Sequence, residues 1–72
     1  MLHAISFRAT DTLALGLSHE NLILDGNYVA FPDPTSQPLV YRIHVADADW
    51  VPGEMVATGV IRLEEDGRVS IS

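Results

Sequence analysis

Cysteine and lysine are both missing from this chain, and no apolar stretch in it is long. Without cysteine there is no disulfide and no zinc–thiolate centre, and residue usage gives no clue to redox compartment. Without lysine a P-loop or Schiff-base enzyme is excluded. No window approaches the roughly 18 apolar residues of a membrane span. The first eight residues, Met1 to Arg8, lack a basic start followed by an apolar run, so a secretory signal is not expected. The expectation is a soluble protein, cytoplasmic at synthesis.

Positive charge is scarce as well. Arg8, Arg42, Arg62 and Arg68 are scattered among 10 acids, for a net charge of −6. Nucleic-acid binding needs a basic stripe that displaces counterions from phosphates, and anionic membranes need a basic patch. Neither partner is expected. Hydrophobic residues at 47% against charged residues at 19% place the chain outside the disordered class.

A chain of 72 residues holds one domain, residues 1–72, with a single small core. It hides only roughly 60% of its unfolded surface, and domains of this size are usually reinforced by disulfides, metals, idealised packing or association. With disulfides absent, a shared interface becomes the favoured support. The expected partner is protein: further copies of the chain, or a larger assembly on which it docks.

Alternation of period two runs through most of the sequence. Ile5 and Phe7 face one way while Ser6 and Arg8 face the other, the pattern of a half-buried strand. Thr10-Asp11-Thr12 interrupts it. Leu13, Leu15 and Leu17 alternate again, although a short helix capped by Asp11 competes there, and Gly16 counts against it. Ser18-His19-Glu20-Asn21 reads as a turn. Asp25-Gly26 between Leu22-Ile23-Leu24 and Asn27–Phe31 is a hairpin signal, because glycine supplies the positive φ of a tight turn.

Prolines at 32, 34 and 38 make Phe31–Pro38 an expected loop. Leu39–Ala46 is an expected strand with Tyr41, Ile43 and Val45 inward and Arg42 and His44 outward. Asp47-Ala48-Asp49 and Val51-Pro52-Gly53-Glu54 form an expected long turn around Trp50. Met55–Leu63 is an expected strand in which Gly59 marks a bulge or a close backbone approach. Glu65-Asp66-Gly67 leads into a last strand, Arg68–Ser72. The predicted fold is all-β, a small antiparallel sandwich or barrel of about six or seven short strands. Its edges would expose unpaired N–H and C=O groups with no lysine to guard them.

No catalytic constellation is expected. Ser18-His19-Glu20 are adjacent, so in extended backbone their side chains alternate between faces and cannot act together. Paired carboxylates need a cleft, and a chain this short has little room for a pocket of roughly 300 Å³ beside its core. Neither a cofactor nor a small-molecule substrate is expected. The nearest approach to a metal site is His44, Asp47 and Asp49, followed by Glu54. It lacks the oxygens and internal glycine of a calcium loop, and Asp47 and Asp49 read better as turn formers. His3, His19 and His44 titrate near neutrality in principle, but exposed surface histidines are the simpler reading. Glu64-Glu65-Asp66 reads as a solvated turn.

Trp50 is the residue of most interest, a lone tryptophan in a loop. It either folds back to plug one end of the structure or anchors an interface, since aromatic side chains concentrate binding energy. Tyr28 and Tyr41 are weaker anchor candidates. The expected function is therefore a non-catalytic structural or interaction subunit, of the kind found as capsid decoration or tail components of phage particles. The alternative is a small acidic inhibitor or immunity-type protein that blocks a basic surface of an enzyme, its net charge speeding encounter.

Overall fold

The computed structural model describes residues 3–14 and 26–72. Among these, seven strands follow one another: β1 (Ile5–Arg8), β2 (Thr12–Ala14), β3 (Asn27–Asp33), β4 (Val40–Ala46), β5 (Pro52–Gly59), β6 (Ile61–Leu63) and β7 (Val69–Ile71). A single 3₁₀ turn, Ala9–Asp11, separates β1 from β2. The fold is all-β.

The strands form two sheets. One has four strands in the order β1-β3-β4-β5, and the other has three in the order β2-β7-β6. Four of the five pairings among the described residues are antiparallel, and β2 runs parallel to β7 with Thr12 opposite Val69.

The chain passes from one sheet to the other at two places. At the first, the Ala9 carbonyl accepts the Thr12 hydroxyl at 2.7 Å, while the Ala9 N–H donates to the Gly26 carbonyl at 2.9 Å. At the second, Val60 leaves β5 and exchanges two backbone bonds with Ser72, at 2.9 and 3.0 Å. The expected continuous strand Met55–Leu63 is thus two strands in different sheets, and the buried Gly59 ends the first of them.

The core lies between the sheets. Phe7, Tyr28, Ala30 and Ile43 meet Val69 and Ile71, with Ile5, Tyr41, Val45, Val56 and Ile61 packed around them. Inward residues stand two apart, as alternation requires, in β1, β3 and β7, but in β3 the intervening Val29 is also buried, and so is Ser70 in β7. Phe7 stacks on Tyr28 with ring centroids 5.7 Å apart. No buried side-chain nitrogen or oxygen among the described residues lacks a partner.

Two expectations change. β3 continues through Phe31 and Pro32 to Asp33, so the loop begins at Pro34 and not at Phe31. Beyond Ala30 no pairing on the β1 flank of β3 is seen among the described residues, and an edge position tolerates a residue that has no N–H. Asp33 closes the β3–β4 connection, accepting the Thr35 N–H at 3.0 Å and the Thr35 hydroxyl at 2.6 Å. The second change concerns the Asp25-Gly26 hairpin. Both flanks of Asn27–Ala30 are taken, by β1 and by β4. The proposed first arm, Leu22-Ile23-Leu24, lies outside the described residues. So do Leu15 to Leu17 and the Ser18–Asn21 turn, including His19. β2 supports strand over helix at Thr12–Ala14.

Candidate functional site: the β4–β5 end

β4 and β5 are joined by a turn that sequence and backbone build together. The Asp47 carboxylate accepts the N–H of Asp49 at 2.9 Å and that of Val51 at 3.0 Å. The Asp47 carbonyl accepts the Trp50 N–H at 3.0 Å, and the Asp47 N–H donates to the Val51 carbonyl at 3.2 Å. An aspartate bonding the backbone two residues on is the usual chemistry of this residue in turns. From the neighbouring strand, the Asn27 side-chain amide donates to the Asp47 carbonyl at 3.2 Å.

Inside this bracket Trp50 sits at φ 64°, the one positive φ among the described non-glycine residues. A bulky side chain in that region is disfavoured by roughly 1–2 kcal/mol, so the bonds around Asp47 hold the backbone where tryptophan would not choose to be. The indole is 36% exposed and lies outside the core cluster. Val51 beside it is 57% exposed. The expected turn through Val51–Glu54 is shorter than predicted, because β5 already begins at Pro52. Proline as first residue of an edge strand follows the rule for where strands accept it.

Next to the turn is a shallow open hollow of about 350 Å³, lined by Val45, Ala46, Asp47, Val51, Pro52 and Gly53. It is larger than the chain length suggested. Its lining is mostly apolar, and its one titratable side chain, Asp47, is already engaged with the turn. The hollow arises where the β4–β5 register shifts, between Ile43 and His44 and again between His44 and Ala46. These irregularities and Pro52 also blunt the β5 edge, so that edge is less open than the absence of lysine implied.

The other candidate residues scatter. Tyr28, a weaker anchor candidate, is only 1% exposed and belongs to the core, where its ring stacks on Phe7. Tyr41 is half-buried, packed on the core opposite Gly59 and Pro32. His44 is half-buried, and its Nδ1 lies 2.8 Å from the Gly53 carbonyl. Since a carbonyl only accepts, that nitrogen carries the proton. Its ring meets Phe31 edge-on at 5.4 Å. The exposed-histidine expectation therefore fits His3 but not His44, which staples the irregular part of the hairpin. No three His, Asp or Glu side chains among the described residues converge on a possible metal position, and this includes His44, Asp47 and Asp49.

The Glu64–Arg68 turn is a closed hairpin. Asp66 accepts the Arg68 N–H at 3.0 Å, and Gly67 takes φ 87°. All five of its residues are exposed.

No protein family model, characterised protein or solved structure matches this chain. What fold and site define is a small two-sheet β protein that presents a part-exposed tryptophan on a hydrogen-bonded turn at one hairpin end.

Proposed function

We propose that this protein is a non-catalytic interaction subunit of a larger protein assembly. The supporting observation is Trp50, held at an unfavourable φ by the Asp47 bracket and left partly in water beside an apolar hollow. Backbone strain persists only where the surroundings impose it, and it gathers at sites that bind or switch. A tryptophan on a turn whose backbone is already held loses less entropy on docking, and it brings large area to a contact. Val51 and Met55 extend exposed apolar surface along the same hairpin, and Leu63 on β6 is 72% exposed.

Structural components of phage particles, such as capsid decoration and tail proteins, are the kind of assembly in which so small a β subunit would serve. A blocking role against a basic enzyme surface is the second reading, favoured by the net charge of −6. Size-exclusion chromatography with light scattering tests the proposal. Association with itself or with a recovered partner, lost in Trp50→Ala while far-UV circular dichroism is unchanged, is the expected result. A strict monomer at tens of micromolar that recovers no partner would count against it.

A further inference from the structure

We propose that the Trp50 end docks on a different protein, one whose surface offers an apolar socket rimmed by arginine or lysine, and not on a second copy of this chain. The inference rests on reading the protein as an interaction subunit and names the chemistry of its neighbour.

Charge around the apolar end carries the argument. From Asp47 to Glu54 the chain holds three acids, Asp47, Asp49 and Glu54, and no base, and all three are exposed. They enclose Trp50, Val51 and Pro52, the last two of which line the hollow. His44 reaches the Gly53 carbonyl from β4, and the arginines that the register brings closest are Arg8 and Arg42. Arg8 lies in one row with Asn27 and Ala46, two strands away, which is about 10 Å. Arg42 is four residues down β4 from Ala46, about 13 Å along the strand. Among the described residues none of Asp47, Asp49 and Glu54 forms an ion pair, so the hairpin end presents a net negative charge.

A two-fold contact between copies would set this end against itself, three acids facing the same three acids, in a chain already at −6. A cationic rim removes that repulsion and pairs with the carboxylates as water leaves the apolar centre. An arginine over the indole face would add a cation–π contact. Holding the turn backbone through Asp47 in advance lowers the ordering cost of such a contact.

Trp50 is the single tryptophan, so its emission reports this end alone. Three synthetic peptides of equal length serve as probes: alternating Arg/Leu, alternating Glu/Leu, and alternating Arg/Ser. The Arg/Leu peptide should move the emission to the blue, saturably, with affinity falling steeply as salt rises; the other two should not. Asp49→Asn combined with Glu54→Gln should weaken that binding by roughly fivefold without moving the thermal midpoint, since neither side chain supports the turn. An equal response to the Glu/Leu peptide, or Arg/Leu binding unchanged by the double substitution, overturns the proposal. An emission shift that follows protein concentration, with doubling of mass, assigns the end to a second copy: the partner chemistry falls and the interaction reading stands. No shift with any peptide or with concentration removes both.

Discussion

The Asp47 carboxylate accepts the Val51 amide at 3.0 Å across the turn that carries Trp50. That bond and its companion to Asp49 make the turn compact enough to force the intervening tryptophan to positive φ. Asp47→Ala removes the one oxygen that accepts both bonds and should cost about 1–2 kcal/mol in urea unfolding. Asp47→Asn keeps an oxygen acceptor and should cost less. Trp50 emission should change in the alanine variant and hold in the asparagine one.

Strain at Trp50 has its own signature. Glycine populates positive φ freely, whereas alanine does not. Trp50→Gly should therefore be more stable than Trp50→Ala by about 1 kcal/mol, against the usual order for an ordinary strand or loop position. Denaturant midpoints of the two variants, compared at equal slope, supply the check.

Packing makes a sharper contrast. Ile43 is fully buried between the sheets, and Leu63 is mostly in water. Ile43→Ala should cost about 2–5 kcal/mol, while Leu63→Ala should stay within about 0.5 kcal/mol of the parent. A domain of this length has a total stability of only about 4–11 kcal/mol, so the first variant should be partly unfolded at 37 °C. Calorimetric scans of both distinguish them.

Acid should act through Asp33. The Thr35 hydroxyl, then the Thr35 N–H, hold its carboxyl below the ordinary value of 3.8, with Arg42 adding to the effect. A carboxyl depressed in the folded state contributes stability that is present above its unfolded value and lost as pH falls through the folded one. The stability difference between the parent and Asp33→Asn should be constant above about pH 5 and shrink below about pH 4. Thr35→Val should move the Asp33 titration, followed by carbon NMR of the carboxyl, back toward the ordinary value.

The all-β fold was legible because alternation is a local signal: Ile5 and Phe7, or Tyr41, Ile43 and Val45, declare their inward face without reference to the rest of the chain. Pairing partners were not legible. Nothing local says that β1 flanks β3, or that one run of residues divides at Val60 between two sheets, because both depend on contacts distant in sequence.

At the site, Asp47 was readable as a turn former from its residue type. The positive φ was not, since that conformation normally advertises itself with glycine or asparagine, and Pro52-Gly53 drew the turn toward the wrong residues. Tyr28 shows the reverse limit. An aromatic residue at a strand start reads equally well as anchor or as core, and only the second sheet settles which.

The central claim is that the Trp50 end exists to hold another protein. Its most direct test is a photo-reactive phenylalanine analogue placed at position 50 in producing cells, with the exposed Arg62 position as control. The account predicts one dominant adduct from position 50, with a protein whose contact surface is basic, and none from position 62. Matching adducts from both positions, or no adduct from position 50, would contradict it.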